Sequence, residues 1–278
     1  DMEPTKGDMK DNYYALLVDA IRKFKGTEKR EIAGAEKTID ISDFSGWSTV
    51  TPTFYGYKGK YDRNYMGYGG KTYENYTKRN NVTESKVSRD SENLYFYAKT
   101  AESITAPEGS GWMKIYIDSD RNHATGWEGY DYVINTPAPG DVSGLGKDGT
   151  AERIGTAEYN VSGLELALKV NKALLRNISI LVFINHYILI RIFNFSFKCR
   201  ICLKVVDMEF KWVDNASGDI LNWYSDGSVT PLGRFNFVYS EKEEVYLSDG
   251  ERASLSGTAA VSVNRNTGYI SGKKIYVC

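Results

Sequence analysis

The chain's densest set of chemically capable side chains is Asp118-Ser-Asp120-Arg121-Asn122-His-Ala-Thr125-Gly126-Trp127-Glu128-Gly-Tyr130-Asp131-Tyr132. Asp118, Asp120 and Asn122 alternate in the manner that turns oxygen atoms inward around a hard cation. Calcium takes six to eight oxygens, and the Thr125 carbonyl, Glu128 and Asp131 can extend the set. The spacing resembles the start of an EF-hand loop. It lacks the twelfth-position Glu and the flanking helices, so that identification fails. A second reading stays open, in which these residues form an Asx-turn hairpin with carboxylates bonded to local backbone N–H groups. The metal candidates are therefore Asp118, Asp120, Asn122, Glu128 and Asp131, with calcium in a structural role.

Trp112, Trp127, Tyr130 and Tyr132 crowd the same stretch. Aromatic rings have flat apolar faces that can stack on the C–H faces of sugars, while Arg121 and the nearby acids can bind hydroxyls. The competing reading is that the strand members fill the core. Tyr130, Tyr132 and Ile134 share one face by the two-residue period, and one face must point inward. Trp127, in the loop, is expected to be the most exposed of the four. A glycosidase reading would need two carboxylates at a defined separation, which spacing alone does not give. The chain has no Gly-rich phosphate loop, His-based metal motif or nucleophile elbow, so catalysis is not expected.

These residues need a scaffold, and the sequence points to strands. From Thr38 onward, short alternating runs are separated by Gly, Asn and Asp. The pattern predicts strands over 50–55, 84–89, 93–100, 112–118, 130–135, 151–159, 163–170, 207–213, 220–224 and 234–239. Many short strands at this spacing predict an all-β fold, an antiparallel two-sheet β-sandwich. Before it, residues 11–25 predict an amphipathic helix, with Tyr14, Leu17, Val18, Ile21 and Phe24 on one face and Gly26 ending it. Residues 1–37 are expected to be the tail helix and linker of an upstream domain. The sandwich should span 38–240, and 241–278 should be a C-terminal extension or the start of another module. The Tyr/Gly/Asn-rich stretch 55–81 is long for a loop, and such loops on sandwiches often carry function.

Composition narrows the classes further. Aromatic residues make up 13% of the chain, including 21 Tyr, while only 2 His are present, which leaves few general bases or imidazole ligands. A net charge of −1 and a pI near 6.3 give no sign of a nucleic-acid or anionic-membrane partner. Cys199 and Cys202 form a lone Cys-x-x-Cys with no second pair, and Cys278 ends the chain, so the cysteines are expected to be incidental. Residues 178–206 depart in style from everything around them. Their bias toward Phe, Ile, Asn, Lys and Tyr is what translated AT-rich noncoding sequence would give. They are expected to be an intron-like insertion, extruded or poorly packed, too short and too polar for a membrane span.

Three stretches together resemble the family 9-like carbohydrate-binding modules, relatives of the DOMON sandwich, found in large secreted polysaccharide-processing proteins. They are Val87–Thr100 (Val-Ser-Arg-Asp-Ser-Glu-Asn-Leu-Tyr-Phe-Tyr-Ala-Lys-Thr), Trp112–Asn135, and Phe210-Lys-Trp-Val-Asp-Asn215 with Pro231-Leu-Gly-Arg-Phe-Asn-Phe237. The resemblance covers roughly residues 38–239 and is most specific in the middle stretch. It implies a β-sandwich, a secreted or cell-surface extracellular setting, binding of a poly- or oligosaccharide, and structural calcium. An upstream catalytic domain of the glycoside hydrolase type is the implied partner, which the module would tether to polysaccharide. Two alternatives stand beside this expectation: a glycoside hydrolase fragment retaining catalytic carboxylates, and a structural or adhesion spacer.

Overall fold

A computed structural model describes residues 31–56, 61–66, 72–75, 79–175, 179–187, 198–215, 227–231, 235–241, 263–264 and 269–270, together with Ile21 and Phe24. In chain order, its strands begin with β1 (Thr53–Tyr55), β2 (Tyr61–Met66), β3 (Thr72–Asn75), β4 (Val82–Arg89), β5 (Asn93–Thr100) and β6 (Lys114–Asp118). Next come β7 (Tyr132–Ile134), β8 (Asp141–Leu145), β9 (Ala151–Thr156), β10 (Glu158–Ser162) and β11 (Glu165–Asn171). The last are β12 (Ser179–Tyr187), β13 (Lys198–Asp214), β14 (Ser228–Thr230), β15 (Phe237–Ser240), β16 (Val263–Asn264) and β17 (Tyr269–Ile270). All their pairings are antiparallel. One sheet has the order β1-β4-β5-β11-β10, and the other runs β12-β13-β6-β7-β8-β9 with β14 and β15 also on β13. The all-β, two-sheet expectation holds.

One compact unit runs from Ile32 to Lys242, and it carries both sheets. The other comprises Asp1–Glu31 and Glu243–Cys278, and holds the β16–β17 pair. The helix expected over 11–25 lies outside the described residues except for Ile21 and Phe24. Both are helical and exposed, Phe24 at 91%.

Two-residue alternation builds the core. Leu94, Phe96 and Ala98 of β5 and Leu166, Leu168 and Val170 of β11 meet Ile115 and Ile117 of β6 and Met208, Phe210 and Trp212 of β13. Phe210 sits at the centre, its ring 5.3 to 5.9 Å from those of Phe54, Phe96 and Phe237. The residues between them are buried too. Tyr95, Tyr97 and Ala167 lie under a strap that carries Ile39, Trp47 and Val50. The strap includes a 3-10 turn, Phe44–Thr49, capped by the Asp43 side chain. A strand covered on both faces loses its polar alternation, which is why β5 reads as an unbroken apolar run.

The turn into β5 is held by Asp90. Its Oδ1 accepts from the backbone N–H of Glu92 (2.8 Å) and Asn93 (2.7 Å), and the Tyr95 hydroxyl donates to Oδ2 at 2.5 Å. Burial works against ionisation, but these donors outweigh it and hold the carboxyl down to about 2. A depressed folded value stabilises the fold above the unfolded value of 3.8, and that stabilisation is lost as pH falls through about 2. Asp90→Asn should cost roughly 1–3 kcal/mol at pH 7 and flatten the acid limb of the stability curve between pH 4 and 2, as read by urea unfolding across pH.

One segment, 151–159, departs from the sequence expectation. Ala157 alone separates β9 from β10, carrying the chain from the edge of one sheet to the edge of the other, so the single strand expected over 151–159 is two. In the anomalous stretch β12 pairs antiparallel with the first half of β13, in register from Ser179↔Val206 to Tyr187↔Lys198. Among the described residues β12 pairs with β13 alone, while the second half of β13 enters the sandwich between β6 and the pair β14 and β15. Cys199 and Cys202 lie along that one strand, about 10 Å apart at the usual rise, beyond the reach of a disulfide.

Candidate metal centre

The loop between β6 and β7 grows from an outward-facing position. Ile115 and Ile117 point into the core, so Lys114, Tyr116 and Asp118 face the other side of the sheet. Directly across from Asp118 stands Glu209 of β13, a like-charge pair that costs energy unless something positive joins it. The chain then turns through Arg121 (φ +55°) and Gly126 (φ +52°). Trp127 and Tyr130 exchange backbone bonds of 2.8 and 2.9 Å around Glu128 (φ +51°) and Gly129 (φ +96°). Two positive φ values in a two-residue connection are the pattern of a type I′ hairpin turn. A Cβ on Gly126 would fall 2.0 Å from the Tyr130 carbonyl oxygen, so no other residue fits there without moving the hairpin.

This hairpin brings three carboxylates together. Oxygens of Asp118, Asp120 and Asp131 lie within 4.8 Å of one another. Asp131 Oδ2 accepts from the Ser119 backbone N–H (2.9 Å) and hydroxyl (2.6 Å). Asp120 Oδ1 accepts from the Asn122 N–H (3.0 Å) and the Thr125 hydroxyl (3.1 Å). Asp118 Oδ1 accepts from the N–H groups of Asp120 (3.3 Å) and Asn122 (3.2 Å). Its Oδ2 has no hydrogen-bond partner, although the residue is only 1% exposed. Burial, then the charges of Glu209 and Asp131, push this carboxyl up to about 7.

Asx-type bonds shape the turns, and they leave the innermost oxygen unsatisfied. Of the five metal candidates, Asp118, Asp120 and Asp131 converge. Asn122 Oδ1 accepts from the Ala124 N–H at 3.1 Å. Glu128 sits at the turn, outside the group. The donors present are carboxylate oxygens, which fit a hard cation of the calcium or magnesium kind.

The aromatic candidates land differently from expectation. Trp112 is 0% exposed in the core, its indole N–H donating to the Thr105 carbonyl at 3.0 Å. Tyr130 is 3% exposed, and its hydroxyl donates to Asn236 Oδ1 at 2.6 Å. Neither offers a ring face to a ligand. Tyr132 is half-buried and leans on the core, as the strand period requires. Trp127, in the loop, is half-buried, while Trp112 and Tyr130 are closed off. Trp127 packs at 5.7 Å on Tyr116, and Gly149 lies close to its indole. For Tyr130 and Trp127 the physical reason is that the outer face of β6, β7 and β13 is itself apolar (Tyr116, Val133, Val213), and the hairpin folds back to cover it.

Sequence spacing gave no sign of three further members. Arg121 reaches Asp207 and Glu209, each at 3.4 Å, and Asn236 Nδ2 donates to Glu209 Oε2 at 2.9 Å. Asp207 and Glu209 alternate on the outward face of β13, a signal visible once that strand's inner face is assigned to Met208 and Phe210. The Asn-x-Ser/Thr triplets at Asn81 and Asn215 are buried at 0% and 1%, so neither asparagine can accept a glycan in the folded chain. Comparison with protein-family models, with curated proteins and with solved structures finds no match for this chain.

Proposed function

We propose that this chain is a non-catalytic carbohydrate-binding module whose loop 118–131 is fixed by one divalent cation, calcium, held by Asp118, Asp120 and Asp131. The observation that carries the reading is the Asp118 carboxylate, enclosed, without a partner on Oδ2, and beside two further acids. An orphaned buried anion is costly, and a hard cation satisfies all three groups at once. Hydrolysis of a glycosidic bond asks for carboxyl groups about 5–5.5 Å or about 6.5–9.5 Å apart across an open cleft. A cluster within 4.8 Å, with one member closed off from solvent, suits cation holding instead.

The sugar class rests on the resemblance of the three stretches described above. A cation-braced loop would hold Trp127 and Arg121 in one arrangement, which favours binding by removing conformational freedom beforehand. Calcium sites of extracellular modules work near millimolar concentration, which agrees with a secreted or cell-surface setting. Binding alone would then serve a neighbouring glycoside hydrolase domain by raising its local substrate concentration. The burial of Trp112 and Tyr130 favours a second reading, a structural or adhesion spacer.

Retardation of the chain in polysaccharide-containing gels, with and without chelator, separates these readings. Binding should appear with at least one glycan and weaken in chelator. Trp127→Ala should weaken it by about tenfold, the equivalent of ~1.4 kcal/mol. Absence of retardation by every glycan would leave the spacer.

A further inference from the structure

A cavity of about 260 Å³ lies among the strap, β4 and β15, and its lining shares no residue with loop 118–131. The segment 34–37 that borders it is tied at both ends. At one end the Ala33 N–H donates to the Ser240 carbonyl at 2.8 Å, and the Gly34 N–H to the Thr51 carbonyl at 3.2 Å. At the other the Lys37 N–H donates to the Arg89 carbonyl at 2.8 Å, and the Lys37 carbonyl accepts from the Ser88 hydroxyl at 2.7 Å. Val50, Val87 and Tyr239 form the buried part of the lining, and Glu36, Thr49 and Thr51 the exposed part. Arg89, also in the lining, is half-buried. Its guanidinium donates to the Gly34 carbonyl at 3.1 Å, pairs with Glu241 and bonds the Tyr239 hydroxyl. Lys37 Nζ donates to the Gly46 carbonyl at 2.5 Å and to Thr49 Oγ1 at 2.8 Å.

Each of these features constrains a ligand. The volume falls short of the roughly 300–1,000 Å³ of pockets for drug-sized molecules, so the cavity takes one small ring rather than a chain. Its charges cancel, Arg89 and Lys37 against Glu36 and Glu241. A charged guest would have to displace one member of the Arg89–Glu241 pair, and a largely buried ion left without its partner is costly. A wholly apolar guest would strip water from the polar lining and replace none of its hydrogen bonds. A neutral guest with several hydroxyls meets neither penalty, because a hydroxyl both donates and accepts. We infer that this cavity is a separate binding site for a single neutral polyhydroxyl ring, such as a monosaccharide. The C–H groups of the ring lie against Val50, Val87 and Tyr239, and its hydroxyls bond Arg89, Glu36, Thr49 and Thr51. Burial raises the Tyr239 hydroxyl above its ordinary value of 10.0, which keeps it protonated and able to donate. The site needs no cation and stands independently of the reading of loop 118–131.

The test is isothermal titration calorimetry of the full chain, in chelator, against glucose, galactose, mannose, glucuronate and protonated glucosamine. At least one neutral hexose should bind with a roughly millimolar dissociation constant, and the two charged sugars about tenfold more weakly or worse. Gly34→Phe tests the place. A Cβ at Gly34 would meet Thr51 Oγ1 at 3.4 Å, an ordinary contact, so the fold is kept while the new ring crowds the cavity. That variant and the exposed Glu36→Ala should each weaken hexose binding by about tenfold, with melting temperatures unchanged. Three results overturn the inference: no hexose binds, a charged sugar binds as tightly as the hexose, or either folded variant keeps wild-type affinity. None of them touches the loop reading, which is tested by cation-dependent retardation in polysaccharide gels. Hexose binding that persists where retardation fails supports the cavity and overturns the loop reading alone.

Discussion

Asp118→Asn should raise the melting temperature of the chelator-treated protein and abolish its response to calcium. The opposite signs follow from one carboxylate. With no cation, Asp118 is an enclosed anion next to Glu209 and Asp131, and burial and those charges lift it from 3.8 to about 7. A raised folded value means that the folded chain binds more protons than the unfolded one between those limits. Stability of the metal-free protein therefore falls as pH climbs from about 4 to 7, and the penalty, on the order of 2–4 kcal/mol, is complete above 7. Asparagine removes the charge and the penalty with it. The wild type should instead recover that stability from calcium, by about 2.7 kcal/mol at a hundredfold excess over the dissociation constant. For a unit of this size each kcal/mol shifts the midpoint by roughly 2–4 °C. Scanning calorimetry at pH 7.5, with chelator and with calcium, reads both effects. An Asp118→Asn protein that melts lower in chelator, or that keeps a wild-type calcium shift, contradicts the account.

Trp212→Ala should be among the most damaging core substitutions, at about 3–5 kcal/mol. Trp212 is 1% exposed in β13, and its indole N–H crosses the sandwich to donate to Ser85 Oγ of β4 at 2.9 Å. Ser85 passes the interaction on, donating to the Tyr97 carbonyl at 2.7 Å. The residue thus fills the core and joins the two layers with a buried polar bond. Trp212→Phe separates the two contributions. It keeps most of the apolar volume, and Ser85 keeps its acceptor, so the cost should be only about 1–2 kcal/mol. Urea unfolding of both variants measures the gap. Equal losses would mean that the hydrogen bond, not the packing, joins the layers.

Legibility of the sequence varied by physical cause. β5 was readable to the residue, because Asn93–Thr100 combines a capped turn, aromatics and β-branched chemistry within eight positions. β8 was not, because Asp141–Leu145 contains Ser143 and Gly144 and follows Pro137, Pro139 and Gly140, a composition that reads as a turn. Its strand character comes from pairing with β7 and β9, which no local pattern encodes. Asp118 and Asp120 of the candidate metal centre stood out because their alternation is local. Glu209 and Asn236 did not, since they reach the site only through sheet pairing, at separations of 88 residues (Arg121 to Glu209) and 106 residues (Tyr130 to Asn236).

The burial of the aromatic residues has a related origin. Period-two alternation identifies one buried face, and Tyr132 and Ile134 obeyed it. It gives no indication that the opposite face is apolar as well. Tyr116, Val133 and Val213 made that face a second small core, and the loop rings of Trp127 and Tyr130 closed over it. Trp127 packs on that face and keeps part of its ring exposed.

The most direct test of the central claim is anomalous diffraction from crystals grown with calcium and, separately, with chelator. The account predicts a calcium peak about 2.3–2.6 Å from Asp118 Oδ2, with oxygens of Asp120 and Asp131 at similar range, that vanishes in chelator. An absent peak, with Asp118 Oδ2 instead bonded to a side-chain or backbone donor, would contradict it.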